Sequence, residues 1–511
     1  MYNILVGGAA GEGSKKAGLV IAKLMSFYGY KVFIHEDYQS LIKGGHNFSL
    51  IRATKEGKNA IEEKVDILLA LNKDTIERHR GRVKEGGVVI YDSETTEDEG
   101  IGIDLGKIVE EAGGIAIMKN TALVASFAKI VGMSWEKTEE VLRKELPIET
   151  EKNLEVAKVA YDKSEEKLKV EEVEGENLPI ISGNEAVGLG AVKAGMTDYY
   201  AYPMTPSTGI LHLLSTIDGI VTFQAESELS AASAVIGAAY AGRKAMTGTS
   251  GGGFALMTES VSFSAQAEVP FVVALSQRSG PATGVPTYTA QADLLFALFS
   301  GHGDLGRFVV APGDAEEAFQ LSAEAMNVAW QYRMPAIILL DKELSENSYS
   351  FKQPEVKEGG EITALGKVTG YEHTEDGIST EDPEVVVKMH EKRIEKSKRL
   401  LQNLKNPVKV YGEGENVLLV WGSNKGVAVE VAEMLGLRVV QLLVFQPFPE
   451  DSLKSALQGA KKVISVETNA TGQGAFIMRA HGIEIDEEIL KYDARPFTVD
   501  LLKERVKKAI Q

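Results

Sequence analysis

Apolar and polar positions along the chain group into repeated units of buried strand, glycine-rich turn and amphipathic helix. Ile4 to Val6 forms a short apolar run, Gly7 to Gly13 a glycine turn, and Ala17 to Tyr28 repeats at the helical period. Further strand patterns follow at Lys31 to Ile34, Val65 to Leu71 and Val88 to Tyr91. The alternation predicts an α/β block with parallel strands over residues 1–163. A charged, aromatic-poor stretch, 164–177, reads as a linker. A second α/β block, 178–383, starts at Leu178 and reaches a buried strand at Ile337 to Leu340. After residue 341 it trails into a polar excursion that contains Gly359-Gly360. The third block, 384–511, opens with a basic helix pattern from Val385 to Leu404, whose positive face is expected to be solvated or subunit-facing. Strand patterns then recur at Val417 to Trp421, Val439 to Val444 and Lys462 to Val466. Three α/β domains are the expectation, and a length of 511 residues suits that number.

Composition narrows the function classes. The formal net charge of −18 argues against nucleic acid as the main partner, since phosphate recognition needs a basic surface. No stretch has the roughly 18 uncharged apolar residues that a membrane span requires. The opening residues run from a strand into a glycine turn and lack the features of a secretory signal, so a cytoplasmic protein is expected. There is no cysteine, hence no disulfide framework and no thiolate-held iron–sulfur cluster in this chain. With 8 histidines and none at ligand spacing, no metal site of its own is expected.

Candidate chemistry concentrates in the second block. In Tyr202-Pro203-Met204-Thr205-Pro206-Ser207-Thr208 two prolines stiffen a turn that offers hydroxyls at a strand end, where ligands bind in open α/β sheets. Gln224 to Glu228 leads into a helix pattern dominated by small side chains, which allows close approach of another group. A carboxylate at such a helix start suits the dipole, and Glu226 and Glu228 both qualify. Thr247 to Gly253, including Thr249 and Ser250, is a polar glycine-rich turn suited to backbone approach by a ligand. Arg278 to Thr287 places a guanidinium, fit for a bidentate carboxylate, on another turn-rich segment. The first glycine turn fails as a nucleotide fingerprint, because Ala10 stands where a dinucleotide motif needs glycine and Ser14 where a phosphate loop needs lysine. A helix N-terminus there still suits an anion.

The order of these four motifs closely resembles the alpha subunit of 2-oxoacid:ferredoxin oxidoreductases. Residues 1–163 resemble that family's gamma subunit, fused ahead. The resemblance implies a Rossmann-like gamma domain, a thiamine-enzyme pyrimidine-binding domain at 178–383 and a small transketolase-C-like α/β domain at 384–511. It implies oxidative decarboxylation of a 2-oxoacid with thiamine diphosphate, coenzyme A as co-substrate and ferredoxin as electron acceptor. By motif position Glu228 matches the glutamate that activates the cofactor, with Glu226 its rival. Tyr202, Pro203, Thr249 and Ser250 match its other contacts. Thr205 and Arg278 match substrate-binding residues, and Thr287 lies in the same loop. Tyr288 stands where some 2-oxoglutarate members carry lysine; the form of the loop still resembles 2-oxoglutarate-type and broad-specificity members. Gly11 and Gly13, with Lys43-Gly44-Gly45-His46, resemble the gamma domain's glycine motifs and its coenzyme A end. Gly370 to Gly377 and Glu467 to Gln473 resemble family segments too; the second reads as packing or interface.

No Gly-Asp-Gly motif for magnesium and diphosphate is present; Gly303-Asp304-Leu305 and Gly313-Asp314-Ala315 depart at the third residue. The resemblance places that site, and the [4Fe-4S] clusters, on a separate beta subunit, in a heterodimer or a dimer of heterodimers. Two other readings stay open: a subunit of a non-redox thiamine-dependent decarboxylase, and a non-catalytic coenzyme A-binding assembly subunit.

Overall fold

The computed structural model describes residues 1–41, 44–358 and 366–511; Lys43 and Gly359-Gly360, named above, lie outside the described residues. Two compact units divide the chain. One comprises Met1–Ile181, Asn347–Lys352 and Thr498–Asp500, the other Ser182–Glu346, Gln353–Phe497 and Leu501–Gln511.

The first unit is built on an eight-stranded sheet. Its order is Ile101–Ile103, Val83–Asp92, Val65–Ala70, Tyr2–Ala10, Gly44–Thr54, Lys31–Asp37, Ser348–Ser350 and Ile180–Ser182. Half of it is parallel, as expected: Tyr2–Ala10 runs with Val65–Ala70, and Val65–Ala70 with Val83–Asp92. The other half is not. Gly44–Thr54 lies antiparallel to both Tyr2–Ala10 and Lys31–Asp37. Connection length explains the difference. Residues 38–43 alone separate Lys31–Asp37 from Gly44–Thr54, and a parallel crossover needs a dozen or more residues. Helix Ser14–Phe27 buries Ala17, Val20, Ile21, Leu24 and Met25, a stripe at helical spacing, in the unit's core. The stretch 164–177 has no helix or strand, but it is fastened to this unit. Lys167 and Leu168 N–H donate to the Ile130 carbonyl, Val170 N–H to Val131 and Val173 N–H to Tyr28.

The second unit holds two sheets. The larger has the order Val444–Gln446, Phe308–Val310, Pro335–Asp341, Phe271–Gln277, Ala245–Thr249, Asp198–Ala201 and Val221–Gln224. All its pairings are parallel except that of Val444–Gln446 with Phe308–Val310. Phe271–Gln277 and Pro335–Asp341 are buried at every position, as central parallel strands covered on both faces must be. The smaller sheet runs Val408–Tyr411, Arg438–Leu442, Asn416–Val420, Lys462–Glu467, Glu487–Leu490. Val273, Leu275, Ile337 and Leu339 share one apolar core with Leu419, Trp421, Val440 and Leu442 of the smaller-sheet region. A buried ion cluster adds a polar fastening. Glu317, on helix Ala315–Tyr332, accepts from Lys425 at 2.8 Å, Lys409 at 2.9 Å and Gln441 at 2.7 Å. Burial by itself would raise that carboxyl's pKa, but Lys425 and Lys409 outweigh it and hold the group well below the usual carboxylate range.

The basic helix, Pro383–Asn403, departs from expectation at two positions. Asp382 caps it through hydrogen bonds from Glu384 and Val385 N–H. Lys388, Lys392, Lys398 and Arg399 on its positive face are exposed, as expected, but Arg393 and Lys396 are buried. Arg393 donates to both carboxylate oxygens of Glu372, and Lys396 pairs with Glu268. Glu372 belongs to the Gly370-to-Gly377 segment, which thereby acquires a structural role. Among the described residues no helix is long and apolar enough to cross a membrane, and no group of three or more His, Asp or Glu side chains is placed to hold a metal ion.

Candidate active site

Three neighbouring parallel strands of the larger sheet end at the predicted motifs. Asp198–Ala201 runs into Tyr202, Ala245–Thr249 into Ser250, and Phe271–Gln277 into Arg278. The carboxyl ends of such strands form the crevice where α/β proteins place ligands. Arg278 ties two motifs together, its Nη1 donating to the Thr205 carbonyl at 2.9 Å. The proline turn is also held from behind, Asn184 Nδ2 donating to Pro206 O at 2.8 Å and Ser207 Oγ to Met204 O at 2.8 Å. Tyr202 is exposed, Pro203 and Thr205 half-buried.

The helix Glu228–Tyr240 starts from Ser227, whose Oγ accepts from Ser230 N–H. The two rival glutamates meet different surroundings. Glu226 is exposed and satisfied by the Ser230 hydroxyl, which lowers its pKa. Glu228 is 5% exposed, and its Oε1 has no hydrogen-bond partner among the described residues. That oxygen lies over Gly253: a Cβ there would fall 2.5 Å from Glu228 Oε1 and 2.1 Å from Thr249 Oγ1. Glycine is required at this position for approach, since its φ is not in the left-handed region. Ser250 Oγ is a second buried, unpaired polar atom on the same turn. Such orphans are uncommon in folded proteins and call for an explanation.

The remaining predicted residues are placed differently. Thr287 is buried in its loop, which closes through Ser279 N–H to Tyr288 O at 3.0 Å, and among the described residues no hydrogen bond joins it to Thr205, Arg278 or Glu228. The Tyr288 ring carries the Arg495 guanidinium 3.5 Å from its centre. Gly11 and Gly13 belong to the first unit. They line a cleft of about 490 Å³ with Lys15, Lys16, Glu36 and Asn47.

Residues not singled out from the sequence also shape the site. Asp293 precedes the apolar helix Leu294–Phe299 and reads as an ordinary cap, yet its side chain makes no cap hydrogen bond. Burial pushes its carboxyl up to a pKa of about 6, opposed by Arg278. Burial likewise lowers Arg278. The loop before Asp293 is anchored by the Glu467-to-Gln473 segment. Gln291 N–H donates to Thr468 O at 2.7 Å, and Asn469 Nδ2 donates to Gln291 O at 3.0 Å. Glu467 itself is fully buried and accepts from Trp421 Nε1, Asn469 Nδ2 and the backbone N–H groups of Gly474 and Ala475. Its packing role is therefore concrete: it fixes the start of helix Gln473–Ala480 and, through Asn469, the Asp293 loop.

Known proteins match this arrangement along the whole chain. Residues 3–163 fit the family described as pyruvate ferredoxin/flavodoxin oxidoreductase. Residues 189–402 fit pyruvate flavodoxin/ferredoxin oxidoreductase, thiamine diP-bdg. The 2-oxoacid:ferredoxin oxidoreductase 2, subunit alpha, of Aeropyrum pernix is 31% identical, over 97% of this chain and 95% of its own length. The 2-oxoglutarate synthase subunit KorA of Archaeoglobus fulgidus is 34% identical, over 57% of this chain and 88% of its own. A solved 2-oxoglutarate:ferredoxin oxidoreductase from Magnetococcus marinus, with 2-oxoglutarate, coenzyme A and succinyl-CoA bound, superposes with a TM-score of 0.90 at 28% identity, covering 100% of this chain and 99% of that one. By its motifs, its fold and its near-full-length identity to such a subunit, this chain belongs to the 2-oxoacid:ferredoxin oxidoreductase alpha-subunit family.

Proposed function

We propose that the chain is the gamma-fused alpha subunit of a thiamine-diphosphate-dependent 2-oxoacid:ferredoxin oxidoreductase. The reaction takes a 2-oxoacid and coenzyme A to acyl-CoA and carbon dioxide and delivers two electrons to ferredoxin. One observation carries the reading: the buried, unpaired Glu228 Oε1 held over Gly253. An acceptor stripped of water and left without a donor is costly unless a ligand completes it. The aminopyrimidine ring of thiamine diphosphate offers that donor, so the residues present fit the cofactor. Glu228 would hold the ring, with Tyr202, Pro203, Thr249 and Ser250 lining its place. When bound, the cofactor supplies the electron sink for decarboxylation.

This chain's own residues bind and orient. Arg278 pairs the carboxylate of the oxoacid, in the geometry its planar fork favours. Thr205 contacts the substrate from the proline turn, and Thr287 contributes from the Arg278 loop. The substrate is 2-oxoglutarate or a range of 2-oxoacids, a choice supported by the ligands of the Magnetococcus marinus enzyme and the KorA relatives. Coenzyme A reaches the first unit at Gly11 and Gly13, where a helix N-terminus and two lysines suit phosphate. The domains are a gamma-type domain at 1–163, the linker 164–177, a pyrimidine-binding domain at 178–383 and a transketolase-C-like domain at 384–511. A beta subunit supplies the magnesium–diphosphate site and the [4Fe-4S] clusters, because this chain has neither the motif nor a cysteine. The complex is a heterodimer or a dimer of heterodimers, acts in the cytoplasm and needs both chains for turnover.

The test is to isolate the chain anoxically with its native partner and follow reduction of a viologen dye by several 2-oxoacids. Coenzyme A-dependent reduction with a cysteine-bearing partner present is the expected result. Carbon dioxide release without dye reduction would reject the redox reaction. Isolation without a partner or thiamine would reject the catalytic one.

A further inference from the structure

The Ser250–Gly253 turn is flanked by two carboxylates, not one. Glu228 lies over Gly253; Asp293 lies over Gly251, where a Cβ would fall 2.4 Å from Oδ2 and 2.9 Å from Oδ1. Asp293 is steered there by its backbone, whose N–H donates to Gln277 Oε1 at 2.9 Å. Gln277 is the last residue of the strand that delivers Arg278. The carboxylate accepts no hydrogen bond from any described residue at its helix cap position. Around it, the strand Phe271–Gln277 contributes the Gln277 amide and then Arg278, the glycine turn contributes no titratable group before Glu228 at its far end, and helix Gln473–Ala480 contributes the Gln473 amide, which holds Leu295 N–H. Arg278 is the charged group that acts on it. A half-buried carboxyl beside a guanidinium assigned to an anionic substrate has two opposite effects on that anion, depending on its proton. Ionised, it repels the anion and competes for the arginine; neutral, it is a hydrogen-bond donor.

We propose that Asp293 is a second binding residue for the oxoacid: it takes up a proton as the substrate arrives and donates a hydrogen bond to the carboxylate that Arg278 pairs. The inference rests on the reading of Arg278 as the substrate's partner. The proton comes from solvent and returns to it when the carboxylate leaves as carbon dioxide, so the overall reaction is unchanged. The raised pKa agrees with this, because the proton is already within reach near neutrality.

The test is calorimetric titration of 2-oxoglutarate into the assembled complex carrying Glu228→Gln, in two buffers of different ionisation enthalpy at pH 7.5. Uptake of about one proton per oxoacid is expected, with a dissociation constant that rises about tenfold per pH unit above pH 7. In Glu228→Gln with Asp293→Asn the uptake disappears, the pH dependence flattens and binding at pH 7.5 tightens about tenfold, since asparagine donates without a proton. Unchanged uptake in the asparagine variant overturns the proposal. If that variant does not assemble, absence of uptake in the parent complex overturns it equally. Arg278→Lys separates the two readings: normal affinity with that variant removes the carboxylate from Arg278, whereas weakened affinity with that variant and no proton uptake in the complex that keeps Arg278 removes Asp293 alone.

Discussion

Two glycine-rich turns follow apolar strands in this chain, and they use glycine for opposite reasons. In the first unit Gly11 and Gly13 have φ values of +97° and +82°, and none of the described residues lies within 4 Å of where a Gly11 Cβ would stand. Glycine there gives the backbone a left-handed shape, and at Gly13 it also makes room for Asn120, whose Nδ2 would lie 2.2 Å from a Cβ. In the second unit Gly251 and Gly253 have no such dihedrals, but each is pressed by a carboxylate that any side chain would displace. The first turn is set by its left-handed backbone at Gly11 and Gly13; the second is ordinary in shape and closed onto two acids. A turn of the second kind holds two carboxylates at fixed range, whereas one of the first kind shapes a cleft and a helix end.

The comparison can be broken most sharply at Glu228. Glu228→Gln in the assembled complex is expected to lower turnover by about 100- to 10,000-fold with an unchanged melting temperature, because it alters a proton acceptor and not the packing. Gly253→Ala follows. Its methyl would meet Thr249 Oγ1 and Glu228 Oε1, and the expected result is a loss of about 1–3 kcal/mol by chemical denaturation together with loss of turnover. The acid responses of the two regions should have opposite signs. Beside the first turn, His46 and His79 share a hydrogen bond of 2.8 Å between their Nε2 atoms. Burial, His46, Arg82 and Arg78 together lower His79 to a pKa of about 3, against the pull of Asp74. The unfolded chain therefore binds a proton that the folded one refuses. Stability from this pair is intact above pH 6.5 and falls between there and about pH 3, by about 1.4 kcal/mol per pH unit for one proton. Asp293 acts the other way: its folded pKa is raised, so the penalty it carries above about pH 6 is relieved as the pH falls toward the unfolded value. Melting curves from pH 7 to 5 for His79→Gln and Asp293→Asn should flatten in opposite directions; parallel changes would contradict the assignment. Gly11→Ala is the smallest effect, about 1 kcal/mol of stability from the backbone alone, with KM for the oxoacid unchanged.

How much of this was legible depended on the range of the interaction that decides each point. The strand-end motifs could be read because composition and spacing are local: Pro203 and Pro206 make a stiff turn in any context. Local chemistry could not separate Glu226 from Glu228, which only motif position ranked, since both lie at the same helix start; burial of one and exposure of the other depends on Gly253 arriving from the turn after a later strand. Two charges of the basic helix, Arg393 and Lys396, leave the expected solvated face for the same reason. Its charge pattern is local, whereas Glu268 and Glu372, which neutralise Lys396 and Arg393, lie on other elements. Asp293 stayed hidden because an acid ahead of an apolar helix is the ordinary cap, and only the absence of its cap hydrogen bond distinguishes it. The antiparallel half of the first sheet was missed because the short connection at 38–43 carries no hairpin signature of its own.

The strand Ser348–Ser350 sits between Lys31–Asp37 and Ile180–Ser182 in the first unit's sheet. That places a schedule on synthesis. When the ribosome has released residue 181, the sheet still lacks an interior member, and Lys31–Asp37 presents an unpaired edge of the kind that recruits foreign strands. At about 5–20 residues per second the gap stays open for roughly ten to thirty seconds, until the segment with Tyr349 emerges and pairs with Phe33. The nascent chain therefore depends on shielding for longer than the length of its first unit suggests, and a gene cut after residue 181 would make that exposure permanent.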